Sequence, residues 1–265
     1  MNHRMQWRAE PKTPEPGGWL TWREGEGPAN SGPATDDELG AACDDSPYPT
    51  LEIAQTRDFE PTGDGATDAW SRTEWVPLPR VGPGKSTYTT RVKKLYSSQA
   101  IHLLFDCEDQ CLSTNMTRDG DDLWKGDALE IFLWPSEATP LYLQYDLSPL
   151  GAELALLVPG TRGGGIGWSP WQYTGPRRVA ARTTVRGGER AAHAAVSGWM
   201  AEIRIPFALL HGIASIPSPG SQWRANFYRV DYDLGSASHW AWCPRTGTST
   251  HAYQHYGILH FGGAA

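Results

Sequence analysis

Residues 123–134 read LWKGDALEIFLW. Alternation along the strand puts Ala128, Glu130, Phe132 and Trp134 on one face and Leu129, Ile131 and Leu133 on the other. Either face is apolar enough to be buried, so Glu130 is a carboxylate among hydrophobic neighbours. Left unpaired out of water, such a group costs several kcal/mol. It needs a partner, either an arginine such as Arg91, Arg204 or Arg229 or the hydroxyls of a ligand. Trp124, just ahead of the strand, offers a packing surface or a flat indole for a ligand. Asp127, directly after Gly126, is a residue type that caps turns.

The pattern outward from this strand is short strands between turns. Upstream, residues 87–96 alternate, SSQ turns the chain, and 100–106 return with Ile101, Leu103 and Phe105 on one face, which is a hairpin. Downstream, 141–147 pair with the quoted strand across PSEATP, and another strand runs from Gly151 to Val158. The Gly-rich residues 159–167 read as a mobile surface loop. Strands resume at 178–185, 198–205, 223–232, 239–242 and 257–261, and residues 51–54 form a short first one. Only 207–211, after Pro206, read as a helical turn. Many short strands with almost no helix predict an all-β protein, an antiparallel β-sandwich of jelly-roll or immunoglobulin-like type. Residues 1–50, rich in Pro, Gly and acids, form an irregular N-terminal extension, with Trp19 and Trp22 as its anchors. Residues 51–265 form one domain.

Composition narrows the function. Lys plus Arg is 23 against 30 for Asp plus Glu, a formal net charge of −7, which argues against a general nucleic-acid binder. No run approaches the ~20 apolar residues of a membrane helix, so no membrane span is expected. The first twenty residues lack the apolar stretch of a signal peptide. The four cysteines, Cys43, Cys107, Cys111 and Cys243, lack zinc-site spacing. Cys107 and Cys111 flank a turn and either form a bridge in an oxidising compartment or stay ordinary thiols.

In this order of strands the chain resembles the family-9 carbohydrate-binding modules, within the wider group of DOMON-like β-sandwiches. The matching pieces follow one another: DGATDAW (64–70), TTRVKKLYSSQAIHLLFDCED (89–109), LWKGDALEIFLW (123–134), YLQYDLSPLGA (142–152), WMAEIRIPFALL (199–210), WRANFYRVDY (223–232), WAWCP (240–244) and HAYQHYGILHF (251–261). The resemblance implies non-catalytic binding of an oligosaccharide or polysaccharide in a slot walled by aromatics. It matches Trp124 to a tryptophan that stacks on sugar and Glu130 to an acid that accepts hydroxyl hydrogen bonds. Gln144, Asn226, Arg229 and Asp231 fall on strands that carry further polar contacts. A second aromatic wall is expected near the C-terminus, yet Thr250 stands in its place, which leaves Tyr253, His251 and Trp242 as candidates. The resemblance also makes structural calcium an expectation, with Asp106 and Asp109 as ligands. Relatives are commonly exported, which leaves the compartment open in view of the N-terminus.

Two other readings compete. A glycoside hydrolase or lyase would pair Glu130 with Asp231 or Asp127, because hydrolysis needs two carboxyl groups about 5–9.5 Å apart. The wider fold group also includes haem binders, for which Met116, Met200 and the histidines are candidate ligands. A histidine metal site around His251, His239, His255 and His260 finds no supporting spacing. Sugars present hydroxyl edges and C–H faces, and an indole beside polar acceptors complements both. Carbohydrate binding is therefore the leading expectation.

Overall fold

The computed structural model describes residues 48–160, 166–167, 173–246 and 250–264. In chain order its strands are β1 (Thr50–Gln55), β2 (Val76–Pro77), β3 (Arg80–Val81), β4 (Thr90–Tyr96), β5 (Ala100–Cys107), β6 (Ala128–Trp134) and β7 (Leu141–Leu147). β8 (Glu153–Pro159), β9 (Ile166–Gly167), β10 (Ala180–Arg186), β11 (Gly198–Pro206), β12 (Gln222–Asp231), β13 (Ser238–Ala241) and β14 (Gly257–Ala264) follow. The expected helical turn after Pro206 is a 3-10 turn, Phe207–Leu210. No helix among the described residues is long and apolar enough to cross a membrane. The expected extension up to residue 47 and residues 161–165 of the expected loop lie outside the described residues, while Ile166–Gly167 pair with β8 as a strand.

The strands hydrogen-bond along one path, β10-β11-β5-β4-β1-β14-β12-β6-β7-β8-β9, with β2 beside β4 and β13 joining β12 to β3. The path curls so that its two halves face each other as a sandwich. Phe105 on β5 meets Phe227 on β12 with ring centroids 6.0 Å apart. Leu103, Ile203 and Trp199 from one half share a core with Ile131, Leu143 and Tyr145 from the other. Each such side chain, fully buried, stabilises the fold by roughly 1.5–3 kcal/mol.

Leu129, Ile131 and Leu133 face this core, and Phe132 and Trp134 join Tyr142, Tyr228 and Tyr256 in a second apolar cluster on the outer face. Burial on both faces accounts for the unbroken apolar run of β6. The β-sandwich expectation holds and the strand pairs are otherwise antiparallel, but β1 runs parallel to both β4 and β14. A hairpin forces reversal, but β1 reaches β4 through a long connection and is free to run parallel.

The DGATDAW segment covers the outer face of the other half. Glu202 on β11 accepts hydrogen bonds from the backbone N–H of Thr62 and Gly63, both at 2.8 Å, and from the Trp70 indole at 2.7 Å. Gly63 has φ +95°, and a Cβ there would stand 2.8 Å from that of Arg182, so only glycine lets the loop seat this closely. Cys107, Cys111 and Cys243 are free thiols, so the bridge weighed for Cys107 and Cys111 is not formed. Burial pushes the Cys107 thiol up to about 12. Cys43 lies outside the described residues.

Candidate functional site

Strand register assembles the outer face. Glu130 stands opposite Tyr228 on β12 and Asp146 on β7, and Phe132 opposite Asn226 and Gln144. Directly opposed residues share a face, so these side chains form one surface away from the core. The Gln144 amide donates to both Asp146 oxygens, at 3.3 and 3.0 Å. Glu130 is only 5 % exposed, and no hydrogen bond or ion pair reaches its carboxylate among the described residues. Burial pushes its carboxyl up to about 7. Asp146 is driven well above the usual carboxylate range, first by burial and then by the charge on Glu130.

Trp124 lies half-buried on the 3-10 turn Leu123–Lys125, just ahead of β6. Its carbonyl accepts the Tyr232 hydroxyl at 2.9 Å, which ties the turn to the end of β12. Gly126 makes this geometry possible, because a Cβ there would come within 2.8 Å of the Thr114 hydroxyl. Lys125 lies 5.9 Å from the Trp124 ring and is ion-paired to Asp122.

At the far end of the face, His251 and Tyr253 close over Tyr142. His251 Nδ1 lies 2.8 Å from the Tyr142 hydroxyl and its ring meets Phe132 edge-on at 5.8 Å. Burial lowers the His251 pKa. Tyr253 stacks on Tyr142 at 5.5 Å and donates its hydroxyl to the Gly160 carbonyl at 2.9 Å. Both therefore pack over the face on which Glu130 stands.

The other proposed contacts are corrected. Arg229 pairs in register with Leu129, so it and Asp231 face the core side, opposite Glu130. Arg229 is 0 % exposed and holds Asp231 at 2.7 Å and Asp109 at 3.1 Å. Glu130 and Asp231 cannot flank one glycosidic bond, because the sheet stands between them. Asp127 points elsewhere too: its two oxygens accept the backbone N–H of Tyr232 and Ser113, as a capping residue does. Asn226 shares the face with Glu130, but its amide is spent on the loop, donating to the Cys243 carbonyl at 3.0 Å and to Thr246 at 3.1 Å. Trp242 belongs to the inner core, 5.7 Å from Phe227, so it forms no wall on the outer face.

Residues 63–147 match the profile described as Carbohydrate family 9 binding domain-like. This stretch includes Trp124, Glu130, Asp146 and Gln144. Over those residues, about a third of its length, the chain resembles the family-9 carbohydrate-binding domains.

The chain shares its fold with solved structures. A candidate carbohydrate-binding protein from Bacteroides uniformis aligns over 81% of this chain and all of its own, with TM-score 0.66 and 16% identity. A family-9 module from Caldicellulosiruptor kristjanssonii aligns in its complexes with cellotriose (TM-score 0.58, 13% identity) and with glucose (TM-score 0.60, 15% identity). Each of these covers 82% of this chain and 95% or 97% of the module. An extracellular protein of Arthroderma benhamiae is 25% identical over 146 residues, 53% of this chain. The chain spans 63% of that relative's length.

Elsewhere in the chain, Asp109, Asp127, Asp231 and Asp233 each bring a carboxylate oxygen within 4.8 Å of the others. Burial raises Asp109 to about 8, against the pull of Arg229, and Asp127 to about 7. Asp106, expected beside Asp109 as a calcium ligand, is outside this cluster, paired with Arg91 at 2.8 Å and Arg186 at 2.7 Å. Met116 and Met200 pack into separate apolar clusters, so they do not share a haem pocket. A cavity of about 420 Å³ lies between Arg178–Arg182, Glu60 and Glu153, and Glu130 does not line it.

Sequence reasoning missed Asp146 and Tyr232. Asp146 was within reach, since Tyr142, Gln144 and Asp146 share a face by alternation. Its pairing with Glu130 depends on register, and the length of the PSEATP turn alone does not fix that.

Proposed function

We propose that the protein binds carbohydrate without catalysis, through the outer face that carries Trp124 and Glu130. The observation that supports this most is the state of Glu130. Its carboxylate is nearly buried and has no partner among the described residues, and half-buried Trp124 stands on the turn that leads into the same strand. A charge withdrawn from water is normally paired, and sugar hydroxyls supply the missing donors while a ring face covers Trp124. The likeness in fold to a module that holds cellotriose and glucose points the same way. Calorimetry with cello-oligosaccharides and a glycan array tests the reading. Binding should fall at least tenfold, about 1.4 kcal/mol, in Trp124→Ala and in Glu130→Gln. Absence of heat and array signal from folded protein removes the proposal.

Calcium fits the same reading as a structural ion. Asp109, Asp127, Asp231 and Asp233 supply hard oxygen ligands, and among the described residues Arg229 is the cation ion-paired within that group. These four residues would hold the ion and so fix the β5 exit against the end of β12.

A further inference from the structure

Resting on the carbohydrate reading of the outer face, we infer that this face selects sugars that donate hydrogen bonds and carry no negative charge. Among these, an ammonium-bearing sugar, such as a glucosamine oligomer, is preferred over its neutral counterpart. The inference comes from counting which polar groups around Glu130 are already committed.

The donors are spent inside the chain. Gln144 turns its amide onto Asp146, leaving its carbonyl oxygen as the remaining group. The Tyr232 hydroxyl donates to the Trp124 carbonyl, and Tyr256 donates to the Thr250 carbonyl at 2.5 Å. Tyr228 is bound to Thr246, Tyr142 to His251, and the Asn226 amide to Cys243 and Thr246. What remains to donate among the described residues is the Trp124 indole N–H and one ring nitrogen of His251. What remains to accept is the Gln144 carbonyl oxygen and the Glu130 carboxylate, and of the two only the carboxylate ionises.

Among the described residues no cation pairs with Glu130: Arg224 shares its face, opposite Trp134, but is ion-paired to Glu137 at 2.9 Å. Arg229 lies behind the sheet, neutralised by Asp109 and Asp231, and Lys125 at the rim is held by Asp122. Glu130 and Asp146 are directly opposed across two strands, which sets their Cβ atoms about 4.5–5.5 Å apart. Two carboxyl groups this close, out of water, are relieved by a proton or by a cation. A hydroxyl satisfies Glu130 but does not relieve the pair. An ammonium brings three donors and a positive charge. A uronate or sulfated sugar brings a further negative charge to a face with few donors.

The test is calorimetry near neutral pH, where a sugar amine is still partly charged and the Glu130 carboxyl is partly ionised, with trimers of glucosamine, glucose, N-acetylglucosamine and galacturonate. The glucosamine trimer should bind about tenfold tighter than cellotriose. The N-acetylated trimer should gain nothing over cellotriose, and the galacturonate trimer should give no heat. In Asp146→Asn, an isosteric change, the preference for glucosamine over cellotriose should fall towards unity. Asp68→Asn, an exposed acid on the other half of the sandwich, should keep the full preference, which excludes general attraction to the acidic chain. The ranking of the four trimers on the unaltered protein stands even if Asp146→Asn fails to fold. Cellotriose binding without tighter glucosamine binding, galacturonate binding, or a preference that persists in Asp146→Asn overturns the inference and leaves the carbohydrate reading in place. No heat from any trimer, with native near-ultraviolet dichroism, overturns both.

Discussion

Glu130 on β6 stands directly across from Asp146 on β7, and both carboxyl groups are buried on the outer face of the sandwich. Like charges so placed destabilise a sheet. Their pKa values are raised in the folded state, Glu130 from 4.5 to about 7 and Asp146 well above the usual carboxylate range, by burial and by the charge on Glu130. Between the unfolded and folded values the folded protein therefore holds protons that the unfolded chain has released. Stability from the pair is highest below the unfolded values and declines as pH rises through the folded ones. Asp146→Asn should raise stability at neutral pH by roughly 1–3 kcal/mol and flatten that decline. Urea denaturation at a series of pH values measures both, and an unchanged slope would refute the coupling.

Arg229 is a structural residue in this arrangement. Replacing it with methionine leaves Asp109 and Asp231 without their counter-charge and should cost about 3–5 kcal/mol. Glycan affinity of the folded fraction should not change, because the sheet separates Arg229 from Glu130. A selective loss of affinity at full stability would restore Arg229 to the ligand face.

Two tryptophans should separate cleanly. Trp242→Ala empties a core position beside Phe227 and should cost about 3–5 kcal/mol in chemical denaturation. Trp124→Ala, at a half-buried site, should cost under about 1.5 kcal/mol while weakening glycan binding. The opposite pattern would exchange their roles.

Asn226 clamps the loop after β13 through three hydrogen bonds to Cys243 and Thr246. Asn226→Ala should lower stability by roughly 1–3 kcal/mol. Amide exchange at Cys243 should accelerate more than exchange in β5, and uniform acceleration would argue against a local clamp.

The aspartate cluster predicts a response to metal. Chelation should lower the melting temperature and calcium in excess should restore it, as expected for a ligand bound only by the folded state. Asp233→Asn should shrink that shift. A melting temperature indifferent to both treatments would remove the structural ion.

The alternation of 128–134 was legible because the two faces of a strand follow from backbone geometry, whatever the strand packs against. For the same reason the hairpin of β4 and β5 and the pairing of β6 with β7 were readable from short turns. The parallel placement of β1 was not, since a long connection carries no information about direction. Arg229 shows the limit for the site: its polar character suggested a ligand contact, but polarity says nothing about which side of the sheet a residue occupies. Trp242 is the same case among the aromatics.

By itself, then, the sequence determined an all-β chain, the composition of each face of β6, and a carboxylate among apolar neighbours at Glu130. These are local properties of spacing and residue type. Only the tertiary structure decided that the Leu129–Leu133 face is the core, that Asp146 is Glu130's neighbour, and that Arg229 answers Asp109 and Asp231 instead. Each of those depends on which strands lie side by side and in what register, and a one-residue slip would reverse every assignment.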